Sequence, residues 1–182
     1  MNARNWTLVA LIAIAIFSRL LPHPPNFTAL GAASLFAGAV LADRRLAFIV
    51  PLLTLWLSDL VLNNVVYSQY YEGFVWAGEG VVWSYLAFAL IVLMGRIAQV
   101  GRSASRVVGG SFAAALLFFL VSNFGVWMSG TMYPMTMEGL IACYTAAIPF
   151  FGYTAAGNLF FAVALFGAMY WMNQSQMEYA EA

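Results

Sequence analysis

The stretch RLLPHPPNFTALG, residues 19–31, separates two apolar runs and decides how the chain is divided. Pro22 disfavours helix at the residue before it, and Pro24 and Pro25 hold the backbone extended. The run that ends here and the run that begins at Phe27 are therefore predicted to be separate helices. The segment between them is predicted to be a short, stiff wall at one end of the fold.

The composition is that of a membrane protein. Hydrophobic residues make up 64% of the 182 residues and charged residues 8%, whereas an ordinary soluble domain has about 25% charged residues. A formal net charge of zero gives no sign of a nucleic-acid partner. The length allows several helices of about 20 residues but no sizeable soluble domain. Residues 1–182 are therefore predicted to form a single integral membrane domain.

Uncharged apolar runs predict an all-α fold, a bundle of six transmembrane helices. The runs lie at about residues 6–21, 27–42, 46–62, 81–95, 107–129 and 152–172. A further apolar run, residues 137–151, is too short to cross a membrane and ends near Pro149. It is predicted to be an extra short helix before the last span, lying at the surface or dipping partway in.

The arginines predict the orientation of this bundle. Six of the seven fall on one side if there are six spans: Arg4, Arg44, Arg45, Arg96, Arg102 and Arg106. Basic residues in short loops prefer the cytoplasmic side of a membrane. Both termini are therefore predicted to be cytoplasmic.

The three connections on the opposite side predict a binding site for a small molecule. They are rich in aromatic and amide side chains, which can stack on a planar polar ligand and hydrogen-bond to it. The predicted ligand contacts are Asn26, Asn64, Tyr67, Trp76 and Asn123, with His23 as a further candidate. Because Tyr and Trp are common at membrane interfaces in any case, the amides beside them carry this interpretation.

Two charged residues within the predicted spans lie at a similar depth. Arg19 is near the end of the first span and Asp59 is near the end of the third. An isolated charge inside a membrane is costly, so Arg19 and Asp59 are predicted to form a structural ion pair near the outer face. The alternative is that one of the two contacts the ligand.

The sequence shows no catalytic or metal-binding motif. With one His and one Cys in the chain, a metal site made by the protein alone has poor support, and the carboxylates are too scattered to suggest a catalytic centre. We therefore predict no metal, no cofactor and no enzymatic activity. A structural or assembly subunit of a membrane complex, and a membrane enzyme acting on a lipid or isoprenoid, are the alternative functions.

Several motifs carry a resemblance to a known family. The runs RLLPHPPNFTALGAASLFAGAVL, LLTLWLSDL, SNFGVW and YPMTMEGLIACYTAAIPFFGYTAAGNLFF resemble a bacterial family of small six-span proteins of unknown function, assigned to transport. That family is similar, through NFTALGAASLFAGA, to the substrate-binding S-components of energy-coupling-factor (ECF) vitamin transporters.

The resemblance implies an S-component-like bundle in the bacterial inner membrane that captures a vitamin or related small molecule from outside the cell. It also implies two kinds of partner for uptake, a transmembrane coupling subunit and ATPases. The first helix departs from the S-component pattern, because small residues usually recur there every four positions, whereas here Ala10 is followed by Ile14.

Overall fold

A computed structural model of the chain describes the backbone of residues 3–78 and 80–181 and the side chains of residues 4–78 and 80–174. The described residues are helical and contain no strand, which confirms the all-α prediction. The six α-helices are α1 (Ala3–Phe17), α2 (Leu30–Val40), α3 (Arg44–Val61), α4 (Val81–Ile97), α5 (Ala104–Met128) and α6 (Met137–Glu181). A π-helical turn, Leu62–Val66, extends α3.

The predicted extra short helix is wrong, because residues 137–151 form the first part of α6, which continues through Pro149. A proline inside a helix removes one backbone hydrogen bond, and neighbouring helices in a membrane bundle can offset that loss. Here Tyr144 before the proline and Phe151 after it both contact the ring of Phe119 in α5, at centroid distances of 5.6 and 5.4 Å. Thus α5 supports α6 on both sides of the proline.

The helix lengths are consistent with a membrane protein. Within the described residues, three helical stretches are long and apolar enough to cross a membrane: Arg44–Val66, Ala104–Met128 and Met137–Gln174. The helices α1 and α4 have 15 and 17 residues, fewer than the roughly 20 that a crossing takes. With 11 residues, α2 is only about 16 Å long.

The short helix α2 lies at the centre of the bundle. All nine residues from Leu30 to Gly38 are buried, and α2 packs against each of the other five helices. A Cβ added at Gly38 would overlap the carbonyl oxygen of Val92, and one added at Gly95 of α4 would overlap that of Leu35. The backbones of α2 and α4 therefore touch, as small residues allow in membrane bundles.

Successive helices run in opposite directions, which gives the bundle two chemically different ends. Arg19 just after α1, Leu30 at the start of α2 and Asp59 near the end of α3 line one cavity. Arg4 near the start of α1 and Arg96 near the end of α4 line another. We call the first the ion-pair end and the second the basic end.

Candidate functional site

The two charged residues of the predicted spans are in direct contact. Nη1 of Arg19 lies 2.6 Å from Oδ1 of Asp59 and 3.2 Å from the hydroxyl of Ser58. Ser58 donates to the carbonyl of Leu55 at 2.7 Å, so its oxygen accepts from the guanidinium. The side chains of Arg19 and Asp59 are 18% and 23% exposed, because the pair forms part of a cavity wall. It can therefore support the fold and also face a ligand.

The cavity beside the ion pair, which we call the inner chamber, has a volume of about 150 Å³. Its other polar lining residues are Asn26, Thr28, Ser84, Thr154 and Asn158. The rest of the lining is apolar and includes Phe88 and Phe118, whose rings stack at 5.0 Å. A few convergent polar groups on an apolar wall are typical of a small-molecule site.

Several polar groups of the inner chamber have unused hydrogen-bonding capacity. Among the described residues, the side chains of Asn26, Thr28 and Ser84 have no hydrogen-bond partner. Asn158 is 2% exposed and donates from Nδ2 to the carbonyl of Ser111 at 3.4 Å, while its own amide oxygen has no partner in the described part of the chain. Asn26 is exposed and Thr28 and Ser84 are partly exposed, so their polar groups are open to a hydrogen-bonding ligand that enters the inner chamber.

The backbone conformation of Asn26 explains its position between the cavities at the ion-pair end. It has a φ of 63°, in the left-handed region that Asn adopts more readily than most residues. The chain turns there, and the next residue, Phe27, packs between Phe160 and Phe161 of α6 at 5.9 and 6.0 Å. Asn26 consequently lines the inner chamber and two neighbouring depressions.

The larger of these depressions, which we call the vestibule, has a volume of about 480 Å³. It lies between the proline-rich segment and the end of α3, with His23 and Tyr67 in its wall. Nδ1 of His23 is 2.6 Å from the carbonyl oxygen of Leu21, a contact that orients the ring. The vestibule shares Arg19 and Asn26 with the inner chamber, so the two cavities adjoin.

The other depression, which we call the side recess, holds Asn123. It has a volume of about 190 Å³ and shares Asn26 with the inner chamber. The amide of Asn123 donates to the carbonyl of Phe119 in its own helix at 2.8 Å. Asn123 is therefore near Asn26 but not in the inner chamber.

Two predicted ligand contacts, Asn64 and Trp76, lie outside all three of these cavities. Asn64 donates to the carbonyls of Leu60 and Val75 at 2.9 Å and accepts from the N–H of Val75 at 2.7 Å. Its amide therefore fastens the loop that follows α3. Trp76 is 65% exposed, and its ring meets that of Phe74 edge to face, with 4.8 Å between the centroids.

Sequence reasoning missed four polar residues of the inner chamber: Thr28, Ser84, Thr154 and Asn158. Three of them lie within helices, where isolated Ser and Thr are common and commonly bond to their own backbone. Asn158 is the residue that could have indicated this cavity from the sequence, because an amide in the middle of an apolar run requires a hydrogen-bond partner.

The inner chamber contains one cation, one anion and several hydrogen-bonding side chains, so its lining has no net charge. Across the described side chains, no group of three His, Cys, Asp or Glu residues could hold a metal ion. The arrangement can bind a polar molecule through hydrogen bonds and stack it against aromatic rings.

Comparisons with known proteins place the chain in a family without assigning an activity. No curated protein and no solved structure matches the chain. A family model described as "Family of unknown function (DUF6580)" matches residues 1–180. Because this match covers nearly the whole chain, the protein belongs to the DUF6580 family, a family of unknown function.

Proposed function

We propose that the protein is an S-component-like substrate-binding protein that captures a vitamin or related small molecule for uptake across the bacterial inner membrane. The observation that carries this proposal is the inner chamber, in which unpartnered hydrogen-bonding groups surround the Arg19–Asp59 pair. The resemblance to S-components in NFTALGAASLFAGA, residues 26–39, supports it, because Asn26 and Thr28 of this run line the inner chamber. Uptake would then use a transmembrane coupling subunit and ATPases.

The inner chamber favours a polar ligand without net charge. Arg19 and Asp59 neutralise each other, so a charged ligand would leave an uncompensated charge in a site of low dielectric constant. The inner chamber is also smaller than the roughly 300 Å³ or more of most ligand pockets, whereas the vestibule beside it is not. We infer that a compact polar group enters the inner chamber and that a larger, flat part lies against Tyr67 and His23.

Asn26→Gly is expected to weaken ligand binding without unfolding the bundle, because glycine lacks the amide and tolerates the positive φ at this position. Removal of the amide leaves the ligand group that pairs with it unsatisfied, which costs about 1–3 kcal/mol and corresponds to roughly 5- to 150-fold in affinity. The matched control is Gln69→Ala, which removes an exposed amide at the same end of the bundle. Isothermal calorimetry on the protein in nanodiscs measures both. Equal affinities for the two variants would place the ligand elsewhere.

The ligand itself can be identified from the purified protein. Native mass spectrometry should detect a co-purifying small molecule, and a panel of water-soluble vitamins and nucleobases should contain a compound that raises the thermal midpoint. An assembly subunit would show neither effect, and an enzyme would convert the compound into a product. Stabilisation without turnover is the result that the proposal requires.

In this proposal the ion-pair end faces outward and the basic end, with both termini, faces the cytoplasm. The support is the position of the arginines, three of which line one cavity at the basic end: Arg4, Arg96 and Arg102. Cytoplasmic loops are enriched in such residues.

Single cysteines test this orientation. In a Cys143→Ser background, Ser68→Cys and Thr131→Cys should react with a membrane-impermeant maleimide added to intact cells, because both positions are exposed at the ion-pair end. Ser105→Cys, exposed at the start of α5, should react only after the cells are opened. Labelling of Ser105→Cys in intact cells would reverse the orientation and contradict capture from outside.

A further inference from the structure

A separate cavity lies at the basic end, away from the inner chamber. It has a volume of about 530 Å³ and is formed by the end of α2, the end of α4, the start of α1 and the last part of α6. We call it the basic basin. Its charged lining residues are all arginines: Arg4, Arg96 and Arg102.

The charge of the basic basin is not neutralised within the described part of the chain. Arg96 donates to the carbonyls of Leu41 and Ala42 at 3.2 and 3.1 Å and so caps the end of α2, but a carbonyl carries no net charge. Arg4 and Arg102 have no ion-pair partner among the described residues. The nearest carboxylate in the chain is Asp43, which follows the lining residue Ala42. Its oxygen accepts hydrogen bonds from the N–H groups at the start of α3.

The remaining lining of the basic basin is partly apolar. Val40, Leu41 and Met169 lie beside the arginines, so the cavity presents cationic and hydrocarbon surfaces together. A free inorganic anion would contact only the cationic surface. A membrane lipid with a phosphate head group would use both, and the head-group region of a bilayer lies at the ends of transmembrane helices.

We propose that the basic basin binds the phosphate group of an anionic phospholipid from the surrounding membrane. The guanidinium groups of Arg4 and Arg102 hold the phosphate oxygens, because arginine forms paired, charge-assisted hydrogen bonds with phosphate. The apolar lining contacts the glycerol and the start of the acyl chains. Basic pockets between helices are known sites for anionic lipid head groups.

The test compares the full chain in nanodiscs of phosphatidylcholine alone with the same nanodiscs containing phosphatidylglycerol, at 0.3 M salt to screen long-range attraction. Phosphatidylglycerol should raise the thermal midpoint, and native mass spectrometry should show it retained on the protein. The double variant Arg4→Gln/Arg102→Gln should lose the shift and bind the lipid on the order of 100-fold more weakly, about tenfold for each charge-assisted bond.

The matched control is Arg44→Gln/Arg45→Gln, which removes the same charge from exposed positions at the same end, outside the basic basin. It should weaken lipid binding only a few-fold. Equal losses in the two double variants would show general surface attraction and overturn the proposal. So would the absence of any shift in the unmodified chain. Stabilisation of equal size by inorganic phosphate or glycerol 3-phosphate in phosphatidylcholine nanodiscs would assign the basic basin to a free anion and overturn the lipid assignment.

Discussion

Replacing Gly38 by alanine is expected to lower the free energy of unfolding by about 3 kcal/mol, the upper part of the range for an overpacked core. The added Cβ would overlap the backbone carbonyl of Val92, which cannot rotate away as a flexible side chain could. α2 and α4 must then separate at their closest point. The other contacts of the buried helix α2 should loosen with them, so a single methyl group is expected to have a large effect.

Gly109→Ala in α5 is the control for this prediction. Nothing lies within 4 Å of a Cβ added there, so the change should raise stability by about 0.5–1 kcal/mol through helix propensity alone. Gly95→Ala should resemble Gly38→Ala, and the double variant should cost less than the sum because both changes separate the same two helices. Reversible unfolding in mixed micelles measures all four variants. If Gly38→Ala and Gly109→Ala behaved alike, α2 and α4 would not be in backbone contact.

Replacing one member of the Arg19–Asp59 pair is expected to destabilise the protein by about 3–5 kcal/mol, because one charge is then left without its partner inside the bundle. Arg19→Met with Asp59→Leu should cost clearly less than the two single changes together, since apolar residues of similar size replace both charges. A double-mutant cycle measures this coupling. Additive losses would mean that the 2.6 Å contact contributes nothing to stability.

The same double variant separates the two roles of the pair. If the pair only supports the fold, the stable double variant should keep the affinity for the ligand, once a ligand is identified. If the guanidinium or the carboxylate also bonds to the ligand, affinity should fall while the fold is retained. Arg44→Met, at an exposed position of the basic end, serves as the charge control and should change stability by less than about 0.5 kcal/mol.

The helical division of the chain could be predicted from local signals. The prolines of residues 19–31 separate α1 from α2, and the apolar runs correspond to the six helices. Pro149 likewise predicted a helix end, and that prediction was wrong. Local sequence does not show that Phe119 of α5 contacts residues on both sides of Pro149. Tertiary contacts decide whether a proline ends a helix or is tolerated within it.

The site was less predictable, because it depends on which groups remain unpaired. Asn26 and Asn64 look alike in sequence, each an amide in or beside a loop at the same end. The amide of Asn64 forms hydrogen bonds within its own loop and helix end. The amide of Asn26 has no partner among the described residues, and Asn26 lines three cavities. Ser84 and Thr28 join the inner chamber only through the packing of distant segments, and no local pattern reveals that.

The burial of α2 on all sides also constrains how the chain is inserted during synthesis. A helix of 11 residues, nine of them buried within the protein, is too short and exposes too little apolar surface to enter the bilayer by itself, unlike a span of about 20 apolar residues. Four of the five helices that enclose it, α3, α4, α5 and α6, are made after it. In a membrane, α2 can therefore reach its final surroundings only after α6 has been made.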